Sequence, residues 1–299
     1  MKVLISGSSG LIGTALIDFL NKQKIEVFRL VRNKSTFTES QIFWDPISKT
    51  IETDKLNGMS GVIHLAGENI ASGRWSQSRK LKIKSSRSIG TGFLSEALSN
   101  LENPPKVFIS ASGMGYYGNN GNKIVDEKSS IGSGFLPEIC SSWESACLKA
   151  KERGIRVVNT RIGVVLSIKG GALKTMITPF RFCLGGVLGN GKQYMSWISI
   201  DDICKSIHHI IMSETIEGPV NLVSPNPVTN YEFTKTLGKV LGRPTLLPAP
   251  AFMLKLLFGE MAEELLLWSY RIKPGVLLDS GYEFEYPDLE NALRIILEK

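Results

Sequence analysis

Apolar positions along the chain follow two alternating periods. Lys2-Val-Leu-Ile-Ser6 is a short, mostly apolar run, the pattern of a strand buried on both faces. Around and beyond Gly13, residues Leu11, Ile12, Ala15, Leu16, Phe19 and Leu20 recur at helical spacing and form an apolar stripe. The same switch repeats downstream. Buried strands are predicted at 25–31, 61–67, 106–112 and 156–163, with helical stretches at 79–84, 89–98 and 138–153. Strands separated by helices imply an α/β fold, a Rossmann-like doubly wound parallel sheet.

The pattern changes after Gly163. Residues 166–196 are glycine-rich and contain Pro179, predicting a loop and short helix suited to a lid. The stretch WISIDDICKSIHHIIM predicts a strand and then a helix capped near Asp201 or Asp202, and 218–225 reads as one more strand. From Asn226 the segments shorten and are punctuated by Pro227, Pro244, Pro248, Pro250 and Pro274. The expected organisation is a dinucleotide-binding domain over 1–225 and a small C-terminal substrate lobe over 226–299.

Gly7, Gly10 and Gly13 stand at the first strand-to-helix turn. Glycine there permits a tight turn and lets backbone N–H groups approach a pyrophosphate at the positive end of the helix. The second strand then ends in Arg32, 19 positions beyond Gly13, with Arg29 and Lys34 nearby. A guanidinium pairs with a ribose 2′-phosphate that a carboxylate would repel, so the expected cofactor is NADP(H) rather than NAD(H).

Composition narrows the classes of partner. The 299 residues are 42% hydrophobic, enough for a sizeable core, and carry a net charge of +7. The stretch RWSQSRKLKIKSSR, residues 74–87, contains no acid. It can be a solvated helix face, a positive field for an anionic ligand or a nucleic-acid contact. It has no interleaved aromatic platform, so no nucleic-acid partner is expected. The four cysteines and three histidines lack metal-ligand spacing, and no metal site is expected. No apolar run approaches the roughly 20 residues that span a bilayer, and the first strand begins at Lys2. A cytoplasmic protein with reduced thiols and no membrane partner is therefore expected.

Several motifs together resemble the extended short-chain dehydrogenase/reductases, the NAD(P)-dependent epimerase/dehydratase family. They are GSSGLIG at the first turn, HLAG ending at Gly67, RSIGT from Arg87, the YYG of Tyr116–Gly118, and WISIDD. LAGENI, SWE, PFRFCLGG and GYEFEYPDLENAL resemble its "epimerase family protein" branch, also described as cell-division-inhibitor-like, with a C-terminal domain of unknown function. The resemblance implies further cofactor contacts. Leu11 and Ile12 belong to the glycine turn, and Leu65, Ala66 and Gly67 would lie against the adenosine side. Arg87 stands where the family has the Asn of NxxGT, within reach of cofactor phosphates or of a neighbouring acid. Val165 resembles a position lining the nicotinamide pocket, and Ser110 is grouped with these positions.

The family's usual chemistry needs a Ser/Thr together with a Tyr and a Lys spaced YxxxK. Ser112 matches the serine, with Ser110 as a second candidate. The helix that would carry YxxxK reads GFLPEICSSWESACLKAKERG and holds no tyrosine. Cys140 or Glu144 falls at the lysine position, and Leu136 or Cys140 at that of the tyrosine. Three readings follow: a displaced acid at Tyr116 or Tyr117, Glu144 as acid/base, or an NADP(H)-binding sensor or scaffold without turnover. The substrate implied for an enzyme is a carbonyl compound or nucleotide-sugar-like small molecule. Arg181, Lys192, Tyr194 and Trp197 are candidates to line its site.

Overall fold

A computed structural model describes residues 1–32 and 38–298. The chain opens with β1 (Lys2–Ser6), α1 (Leu11–Lys22), β2 (Glu26–Val31), β3 (Gln41–Asp45) and β4 (Thr50–Ile51). There follow β5 (Gly61–His64), α2 (Gln77–Ser99), β6 (Val107–Gly113), a 3₁₀ turn (Met114–Tyr117), α3 (Phe135–Ser145), α4 (Leu148–Glu152) and β7 (Arg156–Ile162). Next come β8 (Val164–Leu166), α5 (Gly171–Arg181), β9 (Tyr194–Met195), β10 (Trp197–Ser199), α6 (Ile200–Met212) and β11 (Gly218–Leu222). The rest comprises β12 (Val228–Thr229), α7 (Asn230–Leu241), α8 (Ala251–Phe258), α9 (Glu260–Ala262) with a π-helical turn (Glu263–Leu267), α10 (Gly275–Asp279) and α11 (Leu289–Glu298).

The main sheet has the order β11-β7-β6-β5-β1-β2-β3-β4. All pairs are parallel except β3 with β4. Strand order reverses between β1 and β5, so their carboxyl ends frame the crevice where open α/β sheets hold ligands. Both faces are covered, which is why the central strands are nearly continuously apolar. On one face Leu16 and Leu20 of α1 and Ile203 and Ile207 of α6 pack on Val3, Ile5 and Ile63. On the other, Leu94 and Leu98 of α2 pack on Leu4, Val62 and Phe108.

A third core joins Leu173 and Ile177 of α5 to Phe233 of α7, Leu293 of α11 and Trp197. The C-terminal residues are also fastened to the main sheet. Leu277 and Tyr282 belong to its first core, and the Tyr282 hydroxyl donates to Asp202 Oδ1 at 3.1 Å.

Three local readings are corrected. Residues 79–84 and 89–98 lie in one helix, α2, because one buried face, Ile83, Arg87, Gly90, Leu94 and Leu98, runs on through the intervening serines, whose hydroxyls are absorbed by the helix backbone. Ser86 Oγ donates to the Ile83 carbonyl and Ser88 Oγ to that of Lys84, each at 3.0 Å. Helix α6 is capped by Ser199, whose Oγ accepts the Asp202 amide at 2.9 Å. Asp202 instead accepts the Glu285 and Tyr286 amides at 2.8 and 3.1 Å, pinning the C-terminal segment. The stretch 138–153 is two helices, α3 and α4. Among the described residues no helix is long and apolar enough to cross a membrane.

Candidate active site

The turn after β1 is built so that no side chain fits. A Cβ on Gly13 would lie 2.3 Å from the Gly7 carbonyl oxygen. Gly7 has φ +68°, and a Cβ there would lie 2.7 Å from the Leu65 carbonyl carbon. The Gly10 amide donates to the Gly7 carbonyl at 3.0 Å, and Gly10 opens α1 without a side-chain cap. The first helical bond there runs from Thr14 N–H to the Gly10 carbonyl, at 2.9 Å. The amides of Leu11, Ile12 and Gly13 therefore precede the helical ladder and stay available to an anion.

Ser6 ties this turn to the end of β5. Its Oγ accepts the amides of Leu65 and Ala66, at 3.2 and 3.4 Å, and lies 2.6 Å from His64 Nδ1. The hydroxyl proton is thus directed to Nδ1 of a neutral imidazole. Burial holds His64 down to about 4, consistent with that neutral form. Leu65 and Ala66 are half-buried and Gly67 is exposed, so the three leave the sheet toward the crevice.

Arg87 lies beside Gly67, where an added Cβ would be 3.5 Å from its Cζ. The guanidinium is buried, and Nη1 donates to the carbonyls of Glu68 and Ile83 at 3.0 and 3.2 Å. It stacks over the Trp143 ring at 4.8 Å. Burial lowers it to about 10. Among the described residues it is in no ion pair, and Glu68 acts on it only at longer range. Arg32 is exposed at the end of β2, and Lys34 lies outside the described residues. On the far flank, Gly171 at the start of α5 lies over Leu11, and its Cβ would be 3.0 Å from Leu11 Cδ2. Val165 is half-buried in β8 beside this contact.

A second cluster joins the ends of β6 and β7 to α3. Ser112 Oγ donates to Glu144 Oε1 at 2.8 Å. Arg161 grips the same carboxylate with Nε on Oε1 and Nη2 on Oε2, both at 2.9 Å. Burial opposes the charge on Arg161, but its bonds and attraction to Glu144 prevail and hold it above its ordinary value. Arg161 Nη1 donates to the Tyr117 hydroxyl at 3.0 Å, and that hydroxyl donates to Asn221 Oδ1 at 2.7 Å. The Arg161 Cζ also lies 3.4 Å from the centroid of the Tyr116 ring.

The two tyrosines are therefore not equivalent. Tyr117 is buried and its hydroxyl is engaged as donor and acceptor; burial pushes it up to about 12. Of the two tyrosines expected as proton source, Tyr117 is the one whose hydroxyl is already committed within the protein. Tyr116 is half-buried, and among the described residues its hydroxyl makes no hydrogen bond. Ser110, the second serine candidate, lies deeper. It is wholly buried, with its hydroxyl on the Ala111 carbonyl, and has no exposed atom for a cofactor. Burial pushes the Cys140 thiol up to about 11, so it is protonated near neutrality. Trp197 is wholly buried and donates to the Asn226 carbonyl, while Arg181 and Lys192 are exposed. Tyr194 is half-buried under the Arg271 guanidinium, 4.5 Å from its ring centroid.

Sequence reasoning missed the Glu144–Arg161 pair and its link to Asn221. The available signal was polar residues set within the apolar strands RVVNTRI and GPVNL, since a buried polar side chain requires a partner. The basic stretch 74–87 is half neutralised, three of its six cations being ion-paired. Arg79, Lys80 and Lys84 pair with Glu68, Glu260 and Glu138, and Arg87 points inward.

The chain is similar to known proteins over nearly all its length. The model of the NAD dependent epimerase/dehydratase family matches residues 3–222, and a domain of unknown function (DUF1731) matches 249–296. An epimerase family protein of Mycobacterium leprae is 40% identical over 291 residues, 97% of this chain and 94% of that protein. The crystal structure of human epimerase family protein SDR39U1 with NADPH has a TM-score of 0.91 at 33% identity, covering 100% of this chain and 99% of that one. A nucleoside-diphosphate sugar epimerase from Corynebacterium glutamicum has a TM-score of 0.82 at 36% identity, covering 98% of this chain and 57% of that one.

Proposed function

The chain belongs to the NAD dependent epimerase/dehydratase family, and from that premise we propose that it is an NADP(H)-dependent oxidoreductase or epimerase acting on a small carbonyl or nucleotide-sugar-like compound. The cofactor reading is supported by the cradle around Gly7 and Gly13, which any Cβ would fill, and by the unbonded amides of the first turn of α1. Arg32 would take the 2′-phosphate and Arg87 a backbone phosphate. The NADPH-bound human relative supports the same choice. When bound, NADP(H) supplies or accepts the hydride.

The observation that carries the chemical reading is the Arg161 guanidinium against the Tyr116 ring. In the ordinary family a lysine supports the tyrosine that exchanges the proton. Here a buried arginine, fixed by Glu144, holds positive charge where negative charge develops as Tyr116 releases its proton. Ser112 would position the substrate oxygen by turning its hydroxyl proton from Glu144 to that oxygen, while its own oxygen stays beside the Glu144–Arg161 pair. For reduction, a hydride reaches the carbonyl carbon and the Tyr116 proton reaches the oxygen, giving an alcohol.

Direct NADPH binding combined with NADPH oxidation against carbonyl compounds and nucleotide sugars tests this. Expected are tight binding and turnover that Tyr116→Phe lowers by about a hundredfold or more. Binding without turnover across the panel would favour a cofactor sensor or scaffold, and absence of binding would overturn the reading of the turn.

A further inference from the structure

The face formed by α8 and the segment after α5 is apolar and unpartnered. Phe182, Leu184, Leu247, Phe252, Leu256 and Leu257 are all exposed, with Phe182 73%, Phe252 70% and Leu256 74% accessible. The two segments adjoin. The Ala249 amide donates to the Val187 carbonyl at 2.8 Å, and the Gly189 amide to the Ala249 carbonyl at 2.9 Å. Gly186 lies so close to Leu247 that a Cβ would meet its carbonyl oxygen at 1.6 Å. Side chains of this size, gathered on one surface, mark an interaction site rather than scattered apolar exposure.

Charge indicates what the face meets. No Asp or Glu occurs in residues 166–192 or 233–259, the two stretches that supply it, and each carries four Lys or Arg residues, of which Lys239 and Lys255 are paired with Glu290 and Glu263. Lys174, Arg181 and Arg243 are exposed, and among the described residues none is in an ion pair. Of the acids that follow α8, Glu260 is paired with Lys80 and Glu263 with Lys255, and Glu264 is buried on the Phe135 and Leu136 amides, away from the face. A second copy placed on this face by a two-fold axis would set its cations against their own images. We propose that this face docks onto the headgroup region of an anionic lipid bilayer, with the apolar side chains entering the interface and the cations meeting lipid phosphates. The expectation of no membrane partner rests on the lack of a spanning run, which surface attachment does not require.

Sedimentation of the full chain with vesicles of phosphatidylcholine, with or without phosphatidylglycerol, tests the proposal. Binding is expected only with phosphatidylglycerol and is weakened by salt. Arg181→Gln should lower the partition coefficient about fivefold. The Phe252→Asp/Leu256→Asp variant should lower it at least about tenfold, with an unchanged melting temperature. Failure to sediment with either vesicle would overturn the proposal, as would equal binding by the double variant. So would a concentration-dependent dimer that the double variant abolishes, which would assign the face to a second copy.

Discussion

Arg161 and Glu144 form a bidentate ion pair, two bonds of 2.9 Å between β7 and α3, with side-chain exposures of only 3% and 13%. The pair is both a fastening and a charge store. Glu144 fixes Ser112, while Arg161 fixes Tyr117 and underlies Tyr116. Removing one partner leaves the other charge buried and uncompensated. Glu144→Gln is therefore expected to cost about 3 kcal/mol of stability, read by urea denaturation. A loss within the error of a surface substitution would show that the pair is not the fastening described here.

Cofactor selection is expected to rest on Arg32. It is exposed at the end of β2, where an acid would serve NAD(H). Arg32→Ala removes a charge-assisted contact to the 2′-phosphate and should weaken NADPH binding by about tenfold to a hundredfold. NADH has no such phosphate, so its affinity should stay unchanged. Calorimetric titration of both cofactors checks this, and a parallel loss for both would assign Arg32 a structural role.

The central sheet was legible in the sequence because its strands are buried on both faces, and such strands are written as continuous apolar runs. Two edge strands were not. Gln41–Asp45 mixes polar and aromatic residues, and Thr50–Ile51 is too short to carry a period. The glycine turn was legible because its steric demand is local. The roles of Arg161 and Glu144 were not, because they depend on contacts between elements distant in sequence. Nor could sequence alone separate Tyr116 from Tyr117. A 3₁₀ turn sends one ring over a guanidinium and the other inward to Asn221.

His64 gives the protein an acid limit. Its environment lowers it from 6.5 to about 4 through burial, whereas in the unfolded chain it titrates normally. Above about pH 6.5 it is neutral in both states, and its full contribution to stability is present. As pH falls from there toward about 4, the unfolded state takes up the proton first, and about 3 kcal/mol is lost. Urea unfolding across this window should show that slope, and His64→Gln should flatten it. An unchanged slope in the variant would place the proton uptake elsewhere.

The two adjacent tyrosines should separate function from stability. Tyr117 donates to Asn221 and accepts from Arg161 in a buried site, so Tyr117→Phe leaves two polar groups short of a partner. That substitution should cost about 1–3 kcal/mol of stability. Its effect on turnover should be confined to what loosening of Arg161 transmits. Tyr116→Phe retains the ring over Arg161 and removes only a hydroxyl that has no protein hydrogen bond among the described residues. Stability should remain within about 0.5 kcal/mol of the parent. On a substrate identified by the panel, kcat should fall by about a hundredfold or more, with KM and NADPH affinity little changed. Unfolding curves and steady-state kinetics on the two variants measure all of these. The reverse pattern, an active Tyr116→Phe and a stable but inactive Tyr117→Phe, would move the acid to the buried ring and reject the assignment of Tyr116.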